Sequence, residues 1–248
     1  MLSPKFLKQY IIRNMYRPKG RTITLLNEAI NFEKEWIFIA IPKTGTTSVR
    51  RQLRQKGRYM INDPHLNINQ LRDLIYIFLL RQNLGTNRKF PNANHIDDNE
   101  IRNLAEKIFN SFFKFSAVRN PWARAVSIYF RREGVKTKNS ISFNEFIENY
   151  NYSSDTCLHP TKHKNQIDWL TSNNGKLLVN YVYKVENFSQ AIHEISNMTD
   201  NKINLKNVSY NMNPHSKSID YKRMYNDKAR KLIQKRFEKD IDYFKYTF

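Results

Sequence analysis

The run "WIFIAI" at residues 36–41 is apolar at every position, the pattern of a strand buried on both faces. A helix is predicted after it, from Thr46 or Thr47 to Gly57, where glycine suits the position just past a helix end. "RYMIN" at 58–62 reads as a second, weaker strand, and the glycine, asparagine and proline punctuation from Gly85 to Asn94 as a loop. Between Asp97 and Phe112, Ile101, Leu104, Ala105, Ile108, Phe109 and Phe112 recur on one face of a predicted helix. "KFSAV" at 114–118 predicts another short strand, and "RNPWARAVSIYFRR" a helix with Pro121 in its first turn. Ser142 and Glu145 have the spacing of a capping box. "LLVNYVYKVE" at 177–186 is a third strong strand, with a helix in the "NFSQAIHEI" that follows. From Tyr221 to Phe248, basic residues alternate with Met224, Leu232, Ile233, Phe237, Ile241 and Phe244, which predicts one closing amphipathic helix. Strands separated by helices imply an α/β fold, a central parallel sheet flanked by helices, with ligands at the carboxyl ends of the strands.

Composition narrows this picture. The 248 residues suit a single domain, 1–248, with residues 1–34 as a basic helical extension. Forty per cent of the residues are hydrophobic, enough for a core and too many for a disordered chain. Against 22 acidic side chains stand 42 basic ones, a formal net charge of +20 that attracts polyanions without specifying which. Cys157 is the single cysteine, so neither an intrachain disulfide nor a cysteine-rich zinc site can form. The N-terminal segment lacks the continuous apolar stretch of a signal peptide, and the longest apolar run, "LIYIFLL" at 74–80, is far too short to span a bilayer. A cytoplasmic protein is expected, with at most weak contact to a membrane surface through its basic N-terminus.

The junction "IPKTGTTS" at 41–48 carries the first candidate chemistry. A strand, a short turn and a helix start aim backbone N–H groups and the positive end of a helix dipole at one point, which makes an anion site. Lys43 adds a cation, Thr44, Thr46, Thr47 and Ser48 add hydroxyls, and Gly45 permits close backbone approach. The Walker A pattern does not fit, because the lysine precedes the lone glycine and the magnesium-binding hydroxyl is out of register. That disfavours a P-loop kinase or ATPase. "IPKTGTTS" instead resembles the 5′-phosphosulfate loop of sulfotransferases that use 3′-phosphoadenosine 5′-phosphosulfate (PAPS). "RNPWARAVSIY" resembles the 3′-phosphate motif of the carbohydrate members, in outline RxPxxRxxSxY, at Arg119, Pro121, Arg124, Ser127 and Tyr129. The likeness runs on more weakly through "NYVYKVENF", "NVS" at 207–209 and "DIDYFKYTF". It implies a P-loop-like sulfotransferase fold, with residues 42–48, Arg119 and Ser127 binding PAPS and Lys43 touching the bridging oxygen. It also implies 3′-phosphoadenosine 5′-phosphate (PAP) as the product, no required metal, and a saccharide acceptor, anionic or neutral.

The acceptor hydroxyl must lose a proton, and histidine suits that near neutral pH. In similar sequences a histidine opens the helix leading into the "KFSAV" strand, which makes His95 the candidate base and His65, in "NDPHLN", the runner-up. His159 and His163 have a spacing that could hold a metal on one helical face, but no acid or sulfur ligand lies near them in sequence; they are read, with Gln166, as lining the acceptor groove. His193, among apolar neighbours, is assigned to structure. Arg50, Arg51, Arg54, Lys56 and Arg58 form either a solvated helix face or a basic wall for an anionic partner. A non-catalytic nucleic-acid-binding protein is the rival from another class; no helix-turn-helix, zinc finger or RNP-type aromatic pattern supports it.

Overall fold

The computed structural model describes residues 25–89, 97–130, 141–149, 165–208 and 220–248, with the backbone alone for 82–89. Strands β1 (Ile30–Asn31), β2 (Trp36–Ile39), β3 (Phe113–Val118) and β4 (Tyr181–Lys184) form one sheet in the order β1-β2-β3-β4. β2, β3 and β4 are parallel, in the register Phe38 to Phe115 and Val118 to Lys184, and β1 joins antiparallel at the edge. The α/β architecture is the expected one. β1 is an addition: residues 25–31, inside the expected helical extension, instead enter the sheet and the core, where Leu26, Ala29 and Ile30 are buried.

Eight helices are described: α1 (Thr46–Leu53), α2 (Ile68–Lys89), α3 (Asp98–Ser111), α4 (Pro121–Tyr129), α5 (Phe143–Asn149), α6 (Phe188–Met198), α7 (Asp227–Arg236) and α8 (Glu238–Phe244). The strand alternation sorts them into two layers. Trp36, Phe38 and Ala40 share one face with Phe115, Ala117 and Tyr183, covered by Val49 of α1 and by Ala191, Ile192 and Ile195 of α6. Ile37, Ile39 and Ile41 point the other way, into a core built with α2, α3, α4, α5 and α7. Burying each such aliphatic side chain contributes about 1.5–3 kcal/mol, which is why an unbroken apolar run is needed where both faces are covered.

Several boundaries differ from the expected ones. α1 ends at Leu53 rather than Gly57, because the chain leaves the helix to let Gln55 Nε2 donate to the Ile30 carbonyl (2.8 Å) and Tyr59 Oη to the Gln55 carbonyl (2.8 Å). "RYMIN" forms only a bridge, Leu25 to Tyr59, with Met60 N–H donating to the Leu25 carbonyl at 2.7 Å. Gly85 does not open a loop: the 22-residue α2 continues through it to Lys89, seeded by the buried Leu71, Leu74, Ile75 and Phe78. A helical glycine costs about 1 kcal/mol, which such a face can absorb. Leu104, expected inside, is 45% exposed. The closing helix is two helices, interrupted at Phe237 (φ −116°, ψ 29°), and this break turns Asp240 into the interior. The capping box forms as expected, Ser142 N–H donating to Glu145 Oε2 (2.7 Å) and Glu145 N–H to Ser142 Oγ (3.3 Å). Among the described residues, no helix is long and apolar enough to cross a membrane.

Candidate active site

Three loops meet at the carboxyl ends of β2, β3 and β4. The first, residues 40–45, is shaped by its backbone. Lys43 adopts φ +67° and Gly45 φ +74°, the left-handed region that non-glycine residues rarely enter. A Cβ on Gly45 would lie 2.6 Å from Val185 Cγ2, in the loop after β4, so only glycine fits. Thr44 is buried, and its Oγ1 donates to the Ile41 carbonyl (3.0 Å), while Arg124 Nε donates to the Pro42 carbonyl (3.0 Å). Those two bonds engage the Ile41 and Pro42 carbonyls of the loop. Gly45 is also the N-cap of α1 and brings no side-chain acceptor, so the start of that helix keeps its affinity for an anion. Lys43, Thr47 and Ser48 are half-buried around it, and Pro42 and Thr46 are buried.

The second loop joins β3 to α4 through Arg119 and Asn120. Asn120 caps the helix, accepting from Trp122 N–H (3.0 Å) and Ala123 N–H (3.4 Å), with Pro121 at the first helical position. Arg119 is half-buried, and its guanidinium makes no hydrogen bond to a described residue. Burial disfavours its charge; Glu186 opposes that effect and the neighbouring Arg124 adds to it. A guanidinium keeps its proton in a protein nonetheless. The positive charge is therefore only partly offset, a setting that favours an anion. Ser127, eight residues on and under two helical turns into α4, is half-buried, with no hydrogen bond of its hydroxyl to a described residue.

The third loop locks onto the second. Glu186, in the short 3₁₀ turn Val185–Asn187, accepts the Asn120 N–H (2.8 Å) and the Tyr246 hydroxyl (3.4 Å). Burial, reinforced by Glu186, pushes the Tyr246 phenol well above its ordinary value, so it remains a neutral donor. Lys184 Nζ sits 4.6 Å from the Tyr246 ring centroid, and Asn120 Nδ2 donates to the Thr247 carbonyl (2.9 Å). Tyr246 and Thr247 are thereby tied to both the second and the third loop.

His65 is half-buried against the first loop, its Nδ1 2.7 Å from the Ala40 carbonyl oxygen. A carbonyl only accepts, so Nδ1 carries hydrogen, and in the neutral ring Nε2 carries the lone pair. His95, His159 and His163 lie outside the described residues. Gln166 is not a groove residue: it is fully buried, with both ends of its amide on the Arg119 backbone and no surface to offer an acceptor. His193 is exposed on α6 rather than packed in the core. In the basic segment after the first loop, Arg50 pairs with Glu28, while Arg51, Arg54 and Lys56 are exposed. The sequence analysis assigned no role to Glu186, Lys184, Tyr246 or Asp240, although all four lie in its segments of weaker likeness, 180–188 and 240–248; the capping role of Asn120, beside Pro121, had a local signal.

A family model described as "Sulfotransferase family" matches residues 29–247, which takes in all three loops. No curated protein and no solved structure matches the chain.

Proposed function

The chain belongs to the sulfotransferase family, and from that premise we propose that it moves a sulfuryl group from PAPS to a hydroxyl of a saccharide. The supporting observation is the pairing of two anion-seeking loops on adjacent parallel strands, the uncapped α1 start beside Lys43 and the part-compensated Arg119 with Ser127. One loop suits a 5′-phosphosulfate and the other the 3′-phosphate that sets PAPS apart from ATP. When bound, PAPS supplies the sulfuryl group, whose bond to the phosphate oxygen breaks as the acceptor oxygen forms a new one, leaving PAP. Lys43 offsets the charge that builds on the departing phosphate, and the rigid loop orients it with no reorganisation at the moment of transfer. Arg119 offers a planar fork to the 3′-phosphate and Ser127 a short hydroxyl donor.

His95 is the proposed base that takes the acceptor's proton, with His65, its lone pair on Nε2, as the runner-up. His159 and His163 are proposed for the acceptor side. The exposed Arg51, Arg54 and Lys56 suit an anionic saccharide.

Calorimetric titration with PAP, AMP and ATP–magnesium tests the donor assignment. Tight binding of PAP in preference to AMP is expected. Equal binding of the two would remove Arg119 and Ser127 from 3′-phosphate recognition, and preference for ATP–magnesium would favour a kinase. An acceptor screen with labelled PAPS then separates a sugar hydroxyl from other hydroxyls; label on non-sugar acceptors alone would overturn the saccharide assignment.

A further inference from the structure

Behind the Arg119 loop lie three buried polar side chains, Gln166, Asp240 and Arg124, at 0%, 0% and 2% exposure. Two of them form a chain of hydrogen bonds that leads to Arg119. Gln166 Oε1 accepts the Arg119 N–H (2.8 Å), and Gln166 Nε2 donates to the Arg119 carbonyl (2.8 Å). Asp240 in turn fixes the glutamine: its Oδ2 accepts from Gln166 N–H (2.8 Å) and Gln166 Nε2 (3.2 Å), and its Oδ1 from Ile167 N–H (2.9 Å). Burial pushes the Asp240 carboxyl up, while these donors and the nearby Arg124 favour its ionised form. Arg124 also holds the Pro42 carbonyl of the first loop.

Packing alone does not explain this choice of residues. Buried ionic groups are often replaced by apolar ones at no loss of stability, so a cluster needed only to join α8 to α4 could be hydrophobic. The targets of the bonds point elsewhere. The pairing of β3 with β4 ends at Val118 and Lys184, so Arg119 is the first residue past the ladder. A single amide takes both of its backbone polar groups, as a further strand residue would. An arginine has many rotatable bonds, and fixing its backbone narrows the region its guanidinium can reach.

We infer that Gln166, oriented by Asp240, is a positioning residue for recognition of the donor's 3′-phosphate, acting through the backbone of Arg119. This rests on the assignment of Arg119 to that phosphate.

The test compares PAP and AMP affinities for the full chain and for Gln166→Met, Arg119→Ala and the double variant, with the melting temperature of each. Gln166→Met should weaken PAP about tenfold, the worth of about one hydrogen bond, and leave AMP within about twofold. In the Arg119→Ala background the same change should have no further effect on PAP affinity, because its route is already cut. A merely structural glutamine would lower the melting temperature and weaken both nucleotides alike, in both backgrounds, and that result overturns the inference. If Gln166→Met does not fold, Gln166→Asn, which keeps the amide but is one methylene short of Arg119, is read by the same ratio. A wild-type chain that does not prefer PAP to AMP overturns the 3′-phosphate assignment and the inference with it. A selective wild type with an equally selective variant overturns the inference alone.

Discussion

The loop after β2 and the loop after β3 lie on neighbouring parallel strands, yet they are held by different means. The first is set mostly by its own backbone: Lys43 and Gly45 in left-handed conformations and Thr44 bonded back to Ile41. The second has ordinary local structure, a proline and an asparagine cap, and depends on Gln166, Glu186, Asp240 and Thr247, all 47 or more residues away. A loop of the first kind is encoded in a short string of residues. A loop of the second kind is encoded by the whole fold. Arg124 belongs to both, since it bonds Pro42 and faces Asp240.

The largest effect is therefore expected from Arg124→Met, which leaves the Pro42 carbonyl unpaired and Asp240 without its nearby buried cation. It should cost about 3–5 kcal/mol of stability by denaturant unfolding. A loss under about 1 kcal/mol would mean that the two loops are not joined through this residue.

Lys43→Ala tests the first loop's chemistry apart from its shape. Turnover with PAPS should fall about 10²–10³-fold, as for loss of one preorganised charge-stabilising group, with the melting temperature little changed. An unchanged rate would remove Lys43 from the transfer step.

Gly45→Ala tests the shape. The new Cβ meets Val185 Cγ2 in a left-handed residue, so a loss of about 1–3 kcal/mol is expected, with weaker PAP binding. Pairing it with Val185→Ala removes the clash and should recover part of the stability; no recovery would place the whole cost in the backbone.

The smallest effect lies far from both loops. Ser142→Ala removes the cap of α5 and should cost about 0.5–1 kcal/mol. The Ser142 hydrogen bonds hold the Glu145 carboxyl below its ordinary value. A depressed folded value means that this contribution is present above the unfolded carboxylate range and is lost as pH falls through the folded one. Wild type and Ser142→Ala should accordingly converge in stability on acidification. A gap that stays constant or widens would contradict this sign.

Much of this contrast was legible beforehand, and for a physical reason. Apolar periodicity reports which residues face a core, so β2, β3, β4, α3, α4 and α6 were readable from windows of about ten residues. Helix ends were less so. α1 stops early because Gln55 bonds to the Ile30 carbonyl and Tyr59 to the Gln55 carbonyl, and α2 runs through Gly85 because its buried face outweighs one poor helix former. At the candidate site, "IPKTGTTS" announced a tight strand-to-helix turn because strand, turn and helix start are contiguous in sequence. Gln166 was misplaced because nothing local to it reveals that its partners are Arg119 and Asp240.

The sequence by itself determined the three parallel strands, the helix that follows each of them and hence the α/β core, since each depends on residues close together along the chain. Tertiary structure alone decided that β1 would close the sheet edge, that the tail would break at Phe237, and that Asp240 and Gln166 would stand behind Arg119. Those outcomes depend on long-range packing and on a buried carboxylate finding its donors, and neither leaves a period or a motif in the sequence.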